Sequence, residues 1–189
     1  MQLPAELRTW PNAISALRAL AGPTVMVLIV AGTRTALLAA LAVMLVAELS
    51  DLADGMVARR SGEDTGFGDL IDPVCDSIYH LSVFLGFLAN GWMPVWMLFA
   101  IYAADLTVPY LNTFARQAGR VLDARLSGRI ETVVHAICQI AVVAAAAGLT
   151  GEALAPGGTG VYLVLSVATA ASVLALIDYG AKAVRLTTP

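Results

Sequence analysis

Between Asp51 and Asp76 the chain reads DLADGMVARRSGEDTGFGDLIDPVCD. Taken as two helices joined by a short turn, Asp51, Asp54 and Ala58 fall at i, i+3 and i+7, and Gly68, Asp72 and Asp76 at i, i+4 and i+8. Each set therefore lies along one helix face. If the two faces meet, four carboxylates converge, and their mutual repulsion calls for protons or cations between them. Carboxylate oxygens select hard ions such as Mg²⁺ or Mn²⁺, and a group of four can hold two of them. Gly55, Ala58 and Gly68 lack bulk, which lets a flat base or a pyrophosphate approach the backbone. Arg59 adds a fixed positive charge near the same phosphates.

The spaced pattern, D-x2-D-G-x2-A-R-x8-G-x3-D-x3-D, resembles the signature of the CDP-alcohol phosphotransferase family at each of its eight specified positions. It covers 26 of the 189 residues, so the rest of the chain is judged on other grounds. The resemblance implies a phosphatidyltransferase of phospholipid biosynthesis. In such an enzyme CDP-diacylglycerol binds with its pyrophosphate on the metals, an alcohol attacks the β-phosphorus, and CMP leaves. Carried onto this chain, it makes Asp51, Asp54, Asp72 and Asp76 ligands of two divalent cations, with Asp76 also the base for the acceptor hydroxyl. Gly55, Ala58, Arg59 and Gly68 contact the CMP moiety, and Asp69, outside the motif, adjoins Gly68. The resemblance also suggests a homodimer.

The elements that must position these residues read as membrane spans. The chain is 59% hydrophobic and 13% charged, with a mean hydropathy of +0.79, which excludes the usual soluble balance. Six apolar segments are long enough to cross a bilayer, at about 13–32, 35–53, 69–90, 92–113, 130–149 and 159–180. The second is expected to continue as one helix from about Thr35 to Arg60, close to 40 Å at ~1.5 Å per residue, so that its last turns carry the carboxylates out of the hydrocarbon. Residues 4–10 read as a short interfacial helix with Leu3, Leu7 and Trp10 toward lipid. The polar start and the Arg18 and Pro23 of the first span do not resemble a cleavable signal peptide. The expected architecture is an all-α integral membrane protein of six transmembrane helices plus that N-terminal amphipathic helix, residues 1–189 forming one domain.

Basic residues orient it. Arg59 and Arg60 follow span two, Arg116, Arg120, Arg125 and Arg129 lie between four and five, Lys182 and Arg185 follow six, and Arg34 lies on the opposite side. Both termini and the acids are thus expected in the cytoplasm, where nucleotides and Mg²⁺ are available. The net charge of −3 matters less than this asymmetry, and nothing points to a nucleic-acid partner. The high alanine content suits the inner membrane of a bacterium.

The acceptor is read from weaker signals. Asn12 to Arg18 (NAISALR), Leu70 to Asp76 (LIDPVCD) and Ser127 to Thr132 (SGRIET) are similar to the phosphatidylglycerophosphate synthase branch of the family. That branch carries a basic residue where this chain has Ala104, and another at Glu131, so two positive charges are missing from the expected phosphate-binding area. Arg116 and Arg129 remain suited to binding a phosphorylated acceptor, although the cytoplasmic bias of arginine also accounts for them. Glycerol 3-phosphate is the first choice, with inositol phosphate or serine as alternatives. Cys75 and Cys138 show no metal spacing and read as core, and His80 and His135 as bonded structural histidines. A different class of function, a small cation or proton transporter, would use Glu48, Asp51, Asp54, Asp72, Asp76, Asp105 and Asp178 as its path. Four of those seven fall on the phosphotransferase signature.

Overall fold

A computed structural model describes residues 10–61, 68–117, 119, 125–150 and 154–187, with side chains at 16–50, 73–117, 119, 126–150 and 154–185. They form six helices: α1 (Trp10–Ala31), α2 (Arg34–Ser61), α3 (Gly68–Ala89), α4 (Val95–Gln117), α5 (Arg125–Ala146) and α6 (Thr159–Thr187).

Local chemistry sets the helix ends. Gly32, with φ 66°, closes α1, and the Thr33 hydroxyl accepts the Ala36 amide at 3.2 Å, capping α2. This two-residue link forces α1 and α2 antiparallel. Gly91 ends α3 in the left-handed region, where the Gly91 amide reaches Leu88 O at 2.9 Å and the Trp92 amide reaches Phe87 O at 2.9 Å. Gly148 ends α5 by the same pair of bonds, to Ala145 O and Ala144 O. Trp92 and Met93, expected inside the fourth span, consequently belong to a turn, and α4 begins only after Pro94. Residues 4–9 of the expected interfacial helix lie outside the described residues, and Trp10 belongs to α1.

α1 packs most extensively on α3, and also on α2; α4 and α5 both pack on α6, and α2 packs on α5. The α1–α3 contact is close because Gly22 has no side chain. A Cβ there would stand 2.7 Å from Tyr79 Cα and 3.1 Å from Ile78 O. One turn pair further on, a Cβ at Gly86 would meet Ile29 at 3.2 Å, and the Asn90 amide nitrogen donates to Ile29 O at 3.0 Å. Small residues at these crossings allow the backbones to touch, the usual basis of helix association in membranes. The pairing advances by the same step in both helices, so α1 and α3 run parallel. Gly22→Ala is expected to destabilise the fold by about 1–3 kcal/mol, because the obstacle is backbone and the helices must separate. Thermal unfolding in detergent reads this, and a midpoint equal to that of the parent protein would contradict the close approach.

Tyr79, Phe84, Phe87, Met44, Met97 and Leu165 fill the interior. Two polar pairs cross it. Gln139 Nε2 donates to His80 O at 2.9 Å while Gln139 Oε1 accepts from His80 Nδ1 at 2.9 Å, and His135 Nε2 lies 2.8 Å from Ser172 Oγ. Both histidines are buried and bonded, and both cysteines are buried and free of disulfides, as the sequence suggested.

The outer surface is apolar: Val27, Leu45, Phe99, Phe114, Leu163 and Leu174 are all largely exposed. Among the described residues three helices are long and apolar enough to cross a membrane, Val95–Gln117, Leu126–Ala146 and Thr159–Arg185, and Ala16–Ala31 and Pro73–Ala89 are shorter apolar helices. α2 is one helix of 28 residues, about 42 Å at ~1.5 Å per residue, longer than a ~30 Å hydrocarbon core.

Candidate active site at the carboxylate end of the bundle

Contacts between helices show which termini share an end. Arg18 of α1 pairs with Asp76 of α3, and Ser77 donates to Asp105 of α4 at 3.0 Å. Ser127 of α5 donates to Asp178 of α6 at 2.7 Å, and Lys182 donates to the same oxygen at 2.9 Å. Tyr179 packs on Val108, Leu111 and Ala115 of α4. One end of the bundle therefore gathers the start of α1, the end of α2, the start of α3, the end of α4, the start of α5 and the end of α6. The charged residues of the described structure concentrate there.

Asp51 and Asp54 lie on α2 and Asp72 and Asp76 on α3, with helical backbone through all four, so the expected spacings hold. The side chains of Asp51, Asp54, Asp72, Arg59, Ala58, Gly55 and Gly68 lie outside the described residues, as do residues 62–67, Arg120 and the side chain of Arg125. Asp76 is described. Its side chain is 32% exposed and its Oδ1 accepts from the Arg18 guanidinium, itself 12% exposed. Arg18 also borders a cavity with Ser50, the residue before Asp51. It thus stands between the acid-bearing turns of α2 and the Asp76 turn of α3.

The register of α1 on α3 puts Arg18 there. Gly22 sits against Tyr79, and one turn back on each helix brings Arg18 to Asp76. The sequence reading noted Arg18 as a polar residue of the first span and as the end of NAISALR, without placing it in the site. Asp105 is a second addition: the sequence places it only on the alternative transporter path, whereas the structure ties it to Ser77, the residue after Asp76, next in sequence to the fully buried Ala104. Arg116 in the last turn of α4 and Arg129 near the start of α5 are both exposed at this end. Glu131 is partly buried on α5.

The donor set suits hard divalent cations. The four carboxylates, two on the end of α2 and two on the start of α3, offer only oxygen, and the one described in atomic detail is partly exposed and already draws a cationic partner. Among the described residues no three His, Cys, Asp or Glu side chains form a group that could hold a metal ion; the side chains of Asp51, Asp54 and Asp72 lie outside them. Arg18→Gln is expected to lower stability by more than a surface pair does, about 1–2 kcal/mol, because it removes the partner of a part-buried carboxylate. Thermal unfolding beside Arg18→Lys checks this, and equal midpoints for parent and Gln variant would contradict a stabilising pair.

Comparison with known proteins identifies the family. A family model described as CDP-alcohol phosphatidyltransferase matches residues 8–177. The chain belongs to the CDP-alcohol phosphatidyltransferase family. Within that family it is 31% identical over 86 residues to a CDP-diacylglycerol–glycerol-3-phosphate 3-phosphatidyltransferase of Treponema pallidum (strain Nichols), covering 46% of this chain and 40% of the relative. It is 28% identical over 144 residues to a probable phosphatidylglycerophosphate synthase of Mycobacterium tuberculosis (strain ATCC 25618 / H37Rv), covering 76% of this chain and 65% of the relative. It is also 30% identical over 80 residues to a cardiolipin synthase (CMP-forming) of Streptomyces coelicolor, covering 42% of this chain and 37% of the relative. The matched segments thus span less than two thirds of each of these relatives.

Proposed function

We propose that this protein transfers a phosphatidyl group from CDP-diacylglycerol to glycerol 3-phosphate, releasing CMP and forming phosphatidylglycerophosphate. The observation that carries the reading is the complete eight-residue signature across the end of α2 and the start of α3, with Asp76 partly exposed at the charged end of an apolar bundle. The relatives named for glycerol 3-phosphate and for phosphatidylglycerophosphate support the acceptor.

Asp51, Asp54, Asp72 and Asp76 would hold two divalent cations, Mg²⁺ or Mn²⁺. When bound, such ions supply charge neutralisation of the pyrophosphate and polarisation of the phosphorus centre. Gly55, Ala58 and Gly68 leave room for the cytidine and its phosphates, and Arg59 adds charge to them. Asp76 takes the proton from the acceptor hydroxyl as its oxygen bonds to the β-phosphorus, and the bond from that phosphorus to the CMP oxygen breaks. Arg18 holds the Asp76 carboxylate in place. Arg116 and Arg129 take the phosphate of the acceptor.

All six helices span the inner membrane of a bacterium, residues 1–189 act as one domain, and the charged end with both termini faces the cytoplasm. The basic residues at the ends of α2, α4 and α6 and the start of α5 support that orientation. The working unit is a homodimer, as the family resemblance suggests. The acceptor is tested by supplying labelled glycerol 3-phosphate, serine, inositol phosphate or phosphatidylglycerol with CDP-diacylglycerol and Mg²⁺. Label entering lipid from glycerol 3-phosphate alone is expected. Transfer to one of the others in its place would overturn the acceptor and retain the reaction.

A further inference from the structure

Inside the bundle His80, Gln139, His135, Ser172, Ser82 and Thr169 are buried and hydrogen-bonded. Among the described residues only the Tyr79 hydroxyl is a buried side-chain polar group without a partner. Tyr79 is 1% exposed, and its ring meets that of His80 edge-on with centroids 5.1 Å apart. An unpaired hydroxyl in an apolar interior is costly, and a phenylalanine would fill the same space without that cost. The surroundings of the hydroxyl indicate its use. Tyr79 Cα rests on Gly22, one turn deeper than the level at which Arg18 meets Asp76. Helical side chains lean toward the N-terminus of their helix, and α3 starts at the charged end, so the phenol leans toward the carboxylates. Arg18 of α1 and Glu48 of α2 are the charged groups that act on it. Glu48 stands three residues before Asp51, hence one turn deeper on the same side of α2. The hydroxyl therefore belongs to a polar layer directly beneath the acid-bearing turns.

We propose, resting on the phosphatidyltransferase reading, that the Tyr79 hydroxyl donates a hydrogen bond to a phosphoryl oxygen of the CDP-linked donor, which makes Tyr79 a catalytic residue. A nonbridging oxygen of a diphosphate is anionic, and hydrogen bonds to charged acceptors are the strong ones. The phosphatidyl half of the donor points from the carboxylates toward the bilayer, so its phosphate is the one that approaches a layer one turn deeper. The Arg18 guanidinium beside the phenol is drawn to the same anion, and its movement toward the phosphate uncovers the hydroxyl. Glu48 repels the anion and keeps the phosphate above the layer, within reach of the phenol but short of the acid. A donor already aimed and desolvated needs no reorganisation as charge builds on that oxygen during transfer.

The test removes the hydroxyl alone. In Tyr79→Phe, purified as the full chain, the melting temperature without donor should equal or exceed that of the parent, because no bond within the fold is lost. Yet kcat/KM for CDP-diacylglycerol, with Mg²⁺ and saturating glycerol 3-phosphate, should fall about 10- to 100-fold, the range of a hydrogen bond to a charged acceptor. KM for glycerol 3-phosphate should not change, and the rise in melting temperature that CDP-diacylglycerol produces with Mg²⁺ should shrink. Tyr162→Phe, exposed near the start of α6 at the opposite end of the bundle, should alter none of these. A kcat/KM for Tyr79→Phe within about twofold of the parent would overturn the proposal. So would a lower melting temperature with an undiminished donor-dependent rise, which marks a structural water on the hydroxyl. If the parent binds the donor but turns nothing over, the phosphatidyltransferase reading fails, and the donor-dependent rise in the two proteins still decides the role of Tyr79.

Discussion

Asp76→Asn is expected to lower the rate of CMP release by about 10²–10⁴-fold, the range that a positioned general base contributes. Asparagine keeps the shape of the side chain and one of its oxygens but cannot take a proton at neutral pH. Donor binding should persist, because Asp51, Asp54 and Asp72 remain. The fold should persist too, since α1 and α3 stay joined through Gly22 against Tyr79 and Gly86 against Ile29, whatever becomes of the Arg18 contact. The variant is therefore expected to elute like the parent and to melt lower by no more than Arg18→Gln does, while losing turnover. Turnover within about twofold of the parent would remove Asp76 from the proton transfer.

Stripping divalent cations should have at least as large an effect. In the proposed site the four carboxylates of α2 and α3 would repel one another and the pyrophosphate of the donor, and the positive charge that Arg18 brings to Asp76 would not balance them. Ions that neutralise a reacting phosphate are worth several kcal/mol in the transition state, so chelation is expected to reduce turnover by about 10³-fold or more. Mg²⁺ or Mn²⁺ added back should restore it. The same ions should raise the unfolding temperature in the absence of donor, since they bind only the folded arrangement. Turnover that survives chelation, with a melting point indifferent to Mn²⁺, would exclude a metal role for the acids.

The helices and the carboxylate spacing were legible because both depend on local chemistry. Gly32 with Thr33, Gly91 and Gly148 punctuate apolar runs, and each turn follows from its own residues. The continuation of α2 as one helix from Arg34 to Ser61 followed from a run rich in Ala and Leu that holds no proline. The contact of Arg18 with Asp76 was not legible. The two residues are 58 positions apart, and their meeting depends on which turn of α1 rests on which turn of α3. A single missing side chain, at Gly22, decides that register, and hydrophobic periodicity holds no information about it. The bond from Ser77 to Asp105 escaped for the same reason. The inside positions of His80 and His135 were anticipated as bonded, but their partners Gln139 and Ser172 are matters of tertiary packing.

The most direct measurement is CMP release from CDP-diacylglycerol by the purified protein in the presence of Mg²⁺, with and without glycerol 3-phosphate. The account predicts release that requires glycerol 3-phosphate and is accompanied by an equal amount of phosphatidylglycerophosphate. No CMP with any acceptor alcohol, from protein that is folded and binds CDP-diacylglycerol, would contradict it.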